Sequence, residues 1–188
     1  MKVIARWLSI LFHPFVTATV LVTGTAVHFG SAREALSSAL LVGAMTLLPL
    51  ALLMIRQVRK GSWSDVDASD SAERPLLFGV AVCGLIVLLP VLLLLRSGSY
   101  LVRGTLIVLL MVATCAVITK WLKVSLHMAF GALATTALLF LRSPVGWVLL
   151  AAMFPLAWSR FMLKRHSTIE ILAGLLTGTV FGYALVRL

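Results

Sequence analysis

Seven times in 188 residues the chain runs apolar for sixteen residues or more, with no Asp, Glu, Lys or Arg except within two positions of an end. The runs cover residues 5–29, 35–55, 76–95, 102–119, 125–141, 143–158 and 169–187. A helix needs about 20 apolar residues to cross the hydrocarbon core of a bilayer. A soluble domain has no use for so many uncharged stretches of that length. Only 12% of the chain is charged, against about a quarter in soluble domains. The expected fold is therefore all-α, a polytopic transmembrane helix bundle of six to seven spans. It forms a single membrane-embedded domain over residues 1–188, with no room for a soluble one.

The first run is too long for a signal-peptide core and lacks a small-x-small cleavage site, so it reads as a retained span. The sixth is short and can borrow length from residues 159–163. Cys83 and Cys115 fall in mid-span, where a thiol is a small buried hydrophobe. Gly104, Gly131, Gly174 and Gly178 lie on or beside spans and predict close helix approach. The five Trp, mostly near span ends, read as interface anchors.

A net charge of +10 would suggest nucleic acid in a soluble protein. Here the basic residues lie in short connections, where they set orientation and meet anionic lipid, so no nucleic-acid partner is expected. If every run crosses, the N-terminus and the connections at 56–75, 120–124 and 159–168 share one side. That side holds eleven Lys and Arg and the other holds five, which places these three connections in the cytoplasm.

The same three connections carry the chemistry. In "SRFMLKRHSTIEI", His166 and Glu170 are four apart and share a face if both are helical. A carboxylate there fixes the imidazole tautomer and leaves the second nitrogen free as nucleophile or base. Arg160 brings a fork of donors suited to phosphate oxygens. In "KVSLHMAF", Ser125 is the expected N-cap of the fifth span and His127 lies in its first turn. Lys123 adds charge beside helix-end amides that favour an anion. In "ERPLLF", Arg74 precedes Pro75 at the start of the third span. Pairs of spans separate the three clusters, so all emerge at one face of the membrane.

These residues resemble the type 2 phosphatidic acid phosphatases, integral-membrane enzymes with three signatures. The third is Ser-Arg, five residues, His, three residues, Asp, matched by Ser159, Arg160, His166 and Glu170 with Glu for Asp. The second, Pro-Ser-Gly-His, survives as Ser125 and His127. The first is Lys, six residues, Arg-Pro; Arg74 and Pro75 match, but Asp67 stands where the family has Lys. The resemblance implies metal-independent hydrolysis of a lipid phosphate monoester or diphosphate of phosphatidic acid, phosphatidylglycerol phosphate or polyprenyl phosphate type. It implies that His166 attacks phosphorus, His127 protonates the leaving oxygen and then activates water, and Glu170 orients His166. Arg74, Arg160 and Ser125 would hold the phosphate. Lys123, ahead of Lys164 and Arg165, is expected to replace the missing cation at position 67, the alternative being that Asp67 faces water. No metal and no cofactor are implied. The partners are a membrane lipid phosphate and the bilayer, with residence in a bacterial inner (plasma) membrane.

Other features read more plainly. His13, beside Pro14, is expected to bond a freed backbone carbonyl, and His28 to sit at a span end. Asp65, Asp67 and Asp70 read as a solvated loop. Were they a magnesium motif, the chain would be an intramembrane prenyltransferase, but a second acidic motif is missing. A non-catalytic lipid-binding or transport protein is the third reading, for which His166 would be dispensable.

Overall fold

The computed structural model describes residues 1–65, 67–68 and 70–187. Among them every regular element is helical. The chain runs α1 (Lys2–Leu11), α2 (Pro14–Phe29), α3 (Ala32–Val42), a π-helical turn (Gly43–Leu47) and α4 (Leu48–Arg59). A single 3₁₀ turn (Ser71–Glu73) then leads into α5 (Arg74–Leu94), α6 (Ser99–Ile118), α7 (Leu126–Phe140), α8 (Pro144–Met162) and α9 (Thr168–Arg187). Six helical stretches are long and apolar enough to cross a membrane: Lys2–Phe29, Ala32–Arg59, Ser71–Leu94, Ser99–Ile118, Pro144–Met162 and Thr168–Arg187. The protein is an all-α, multi-pass bundle.

Two of the expected spans are not simple helices. The first breaks at Phe12–His13, because Pro14 has no N–H to donate back and restricts the residue before it to extended backbone. His13, at φ −59° and ψ 146°, caps the new helix by accepting the Phe15 N–H on Nδ1 at 3.2 Å. The expected bond to a freed carbonyl is thus replaced by its converse, an accepted N–H. The second span contains the π-helical turn just before Pro49, whose missing N–H cannot continue the i→i−4 ladder. The sixth span does borrow length, reaching Met162.

The short α7 is the centre of the bundle. Its 15 residues are buried on nearly every side, from His127 and Met128 to Leu138. Helix α9 packs along it through Gly174, Gly178 and Gly182, one on each successive turn. A Cβ at Gly178 would stand 2.1 Å from the Ala129 carbonyl oxygen, and one at Gly174 2.4 Å from that of Ser125. Backbone thus lies directly on backbone, the close packing that small residues permit in membranes. Gly131 instead faces side chains of α8, a Cβ there standing 3.1 Å from Met153 Sδ, and Gly104 meets only Leu185, at 4.0 Å; it is no point of close approach.

Tight turns join the helices at both ends. After α8, Lys164 takes the left-handed conformation (φ 54°) and Arg165 N–H bonds back to the Arg160 carbonyl at 3.1 Å. This is the Schellman closure, made here without its usual glycine. Arg142 after α7 and Arg96 after α5 repeat it, with φ of 55° and 51°. The loop between α4 and α5 is not a free solvated segment. Trp63 and Ala68 are buried against Leu50, Met54 and Leu77, so Trp63 is a loop anchor and not an interface residue. Glu73 accepts the Ser64 N–H at 2.6 Å, and Asp70 and Glu73 form a capping box around the 3₁₀ turn.

Candidate active site

The turn from α8 to α9 is built by local rules. The Schellman closure directs the chain back towards the bundle and holds Arg160, on the last turn of α8, buried. Ser167 and Glu170 then form a capping box for α9. The Ser167 N–H donates to Glu170 Oε2 at 3.0 Å, and the Glu170 N–H approaches Ser167 Oγ at 3.4 Å. His166 stands just outside that helix, not on its face as the i,i+4 spacing suggested. It still meets Glu170, because the same Oε2 that caps the helix lies 3.0 Å from His166 Nδ1. With Nδ1–H donated to the carboxylate, Nε2 carries the lone pair.

Arg74 opens α5 and is buried. Its Nη1 donates to the Val124 carbonyl at 2.6 Å and its Nη2 lies 3.5 Å from His166 Nε2. One guanidinium thereby ties the third, fifth and seventh predicted spans together. Val124 leads directly into Ser125 and His127, and the Ser125 N–H donates to the Glu170 carbonyl at 3.2 Å. Ser125 does occupy the N-cap position of α7, but its hydroxyl makes no cap bond. It is fully buried and, among the described residues, has no hydrogen-bond partner.

His127 is reached from the other side. Arg160 Nη1 donates to Ser9 Oγ at 2.5 Å, and Ser9 Oγ lies 3.3 Å from His127 Nε2. Because Ser9 accepts from Arg160, its own proton is free to point at His127. With its proton and a second lone pair, Ser9 Oγ can meet His127 Nε2 whether that nitrogen accepts or donates. His13 stands edge-on to His127, with ring centroids 5.2 Å apart. Neither Ser9 nor His13 carried a sequence signal strong enough to place it here; the Pro14 break is what brings both to α7 and α8.

Asp67 is the largest departure from expectation. It faces inward, with Oδ2 2.9 Å from Arg160 Nη1 and Oδ1 4.0 Å from His13 Nε2. Beside it Asp65 pairs with Arg165. Arg165 is thus taken by the loop, while the charge of Lys123 falls on His166. Among the described residues, His13, Asp67 and His127 are close enough to share a metal ion, their ligand atoms lying within 4.8 Å of one another. Their hydrogen bonds point elsewhere. His13 Nδ1 accepts an N–H, so the ring proton resides on Nε2, and Arg160 holds one Asp67 oxygen. The prenyltransferase reading fares no better, since Asp65, Asp67 and Asp70 serve Arg165, Arg160 and a helix cap.

The electrostatics follow from this crowding. Burial, then the positive charges of Arg160, Arg74 and Lys123, push the His166 imidazole down to about 2. His166 is a neutral base, buried among cationic side chains. The Nε–H groups of both Arg74 and Arg160 are buried and, among the described residues, unpartnered. From the His13–Asp67–His127 edge an apolar recess of about 80 Å³ runs past Leu50, Leu77 and Phe130. A second recess of about 90 Å³ shares Leu50, Ala81, Val112 and Phe130 with it and continues to Thr25 and Tyr100. Comparison of the chain with protein-family models, curated proteins and solved structures gave no match.

Proposed function

We propose that the protein is an integral-membrane, metal-independent phosphatase that hydrolyses a lipid phosphate monoester or diphosphate through a phosphohistidine intermediate. The observation that carries this reading is that three buried donors have no partner among the described residues, Arg74 Nε, Arg160 Nε and Ser125 Oγ, while Arg74 also meets His166 and Arg160 reaches His127 through Ser9. An unmet buried donor costs about 1–3 kcal/mol, and a tetrahedral oxyanion would satisfy all three at once. Two arginines add charge: one unit pair at 4 Å contributes about 4 kcal/mol at an effective dielectric of 20.

In this mechanism Glu170 holds the Nδ1 proton of His166, and the Nε2 lone pair attacks phosphorus. A P–N bond forms as the P–O bond to the lipid breaks; His127 enters this step as the imidazolium and gives its Nε2 proton to the departing oxygen. His127 then takes a proton from water, whose oxygen displaces His166 from phosphorus and releases inorganic phosphate. Arg74, Arg160 and Ser125 hold the equatorial oxygens, where charge grows in the transition state. The apolar recesses leading from the cluster suit a substrate held by its hydrocarbon tail, such as phosphatidic acid, phosphatidylglycerol phosphate or a polyprenyl phosphate. A bacterial plasma membrane is the setting this reading assigns.

The test is phosphate release by detergent-purified protein from a panel of lipid phosphates, without added metal. At least one should be hydrolysed. His166→Ala should abolish turnover and His127→Ala should lower it by about 10²–10⁴-fold. Turnover that survives His166→Ala, or that strictly requires magnesium, overturns the reading.

A further inference from the structure

The carboxylate of Asp67 stands where a phosphate-binding site would want a cation, and it is held there firmly. Its loop is anchored by Trp63 and Ala68 on Leu50, Met54 and Leu77, by the Asp65–Arg165 pair, and by the Ser64 N–H on Glu73. The loop delivers one negative group to the site: Oδ2 at 2.9 Å from Arg160 Nη1 and Oδ1 facing His13 Nε2. Arg160 is itself buried, so this carboxylate is the anion that the guanidinium meets when no substrate is present.

We infer that Asp67 is a specificity-determining residue, an internal anion seated on Arg160 that yields to a doubly charged phosphate and refuses a singly charged one. The inference rests on the phosphatase reading for its substrate, but not for its binding test. A carboxylate and a phosphodiester each bring one negative charge to Arg160, so a diester gains nothing by displacing Asp67 and leaves that carboxylate unpaired in a confined space. A phosphate monoester near neutral pH carries close to two charges and three strong acceptor oxygens. It can satisfy Arg74, Ser125 and the Arg160 Nε–H together and outcompete the carboxylate. The anionic phosphodiester lipids that surround a membrane protein share the apolar tails of any lipid phosphate, so tail binding alone cannot exclude them. Discrimination of this kind needs an element that acts against the wrong partner.

The experiment uses the full-length protein in detergent micelles, with two probes. Binding of inorganic phosphate is measured directly by calorimetry, independent of turnover. Phosphatidylglycerol in mixed micelles serves as the singly charged competitor against a lipid phosphate substrate. Asp67→Asn should bind phosphate at least tenfold more tightly than wild type. Phosphatidylglycerol, inert towards wild type, should become a competitive inhibitor of Asp67→Asn and raise its KM at least fivefold. Asp65→Asn keeps the Asp67 carboxylate but removes the charge that pairs with Arg165 and weakens the acceptor of the Asp67 N–H (2.8 Å), so it loosens the seat of Asp67 and should shift both readings the same way, by a smaller factor. Phosphate affinity unchanged or weakened in both variants, or equal inhibition of wild type and Asp67→Asn, overturns the inference. Tighter phosphate binding in Asp67→Asn by a protein that hydrolyses no lipid phosphate upholds the gate and sinks the phosphatase reading. Turnover with unaltered phosphate affinity does the reverse.

Discussion

At the scale of single residues, the site is a set of side chains each held by more than one duty. Glu170 Oε2 caps α9 and faces His166 Nδ1; Arg160 serves Ser9 and Asp67. The environment of His166 has a consequence for pH. In the unfolded chain its imidazole titrates near its ordinary value of about 6.5, whereas burial and then Arg160, Arg74 and Lys123 hold it to about 2 in the folded protein. Below pH 6.5 the unfolded state therefore binds a proton that the folded state does not. The contribution of this group to stability is complete above pH 6.5 and is lost progressively as pH falls towards 2. The melting temperature of the wild type in detergent should drop between pH 6.5 and 4.5, and His166→Gln should flatten that drop. An equal drop in both would show that the group does not titrate in this way. The i,i+4 spacing of His166 and Glu170 was legible in the sequence, but for a different geometric reason: the pair meets through a capping box, with His166 outside the helix.

At the scale of elements, the packing of α9 on α7 fixes where Glu170 and His166 sit relative to Ser125 and His127. Gly178 is the tightest point, so Gly178→Ala must part the two helices or bend one of them. Overpacking of this kind costs about 1–3 kcal/mol. The variant should melt several degrees lower in detergent, and a melting point equal to wild type would show that the contact is looser than its geometry. Gly174 and Gly178 were readable from their place in an apolar run, but Gly104 was read the same way and touches almost nothing. Small residues announce that a close approach is allowed, and only the partner helix decides whether one occurs. The first span shows the same limit. The run at 5–29 reads as one span, and Pro14 breaks it; the break matters because it turns Ser9 and His13 towards α7 and α8, which the proline itself does not specify.

At the scale of the whole molecule, the functional clusters gather at one end of the bundle, the arrangement expected if all seven runs cross; α7, at 15 residues, is shorter than the six stretches long enough to span. Single cysteines placed at Lys60 and Lys164, in a protein lacking Cys83 and Cys115, should react with a membrane-impermeant thiol reagent from the same side. Cysteines at Ser97 and Arg142 should react only from the other. Labelling of position 60 and position 164 from opposite sides would break the parity on which the site depends. The sequence by itself determined the helical, multi-pass architecture, and it singled out Arg74, His127 and His166, which the fold brings to one end of the bundle. The architecture follows from the thickness of a bilayer and the length of a helix, both local quantities. Only the tertiary structure decided that Asp67 turns inward, that Ser9 links Arg160 to His127, and that the Ser125 hydroxyl finds no partner among the described residues. Contacts such as Ser9 with Arg160 join residues 151 positions apart. They depend on how one bend and one anchored loop pack against distant helices, which no local pattern of residues encodes.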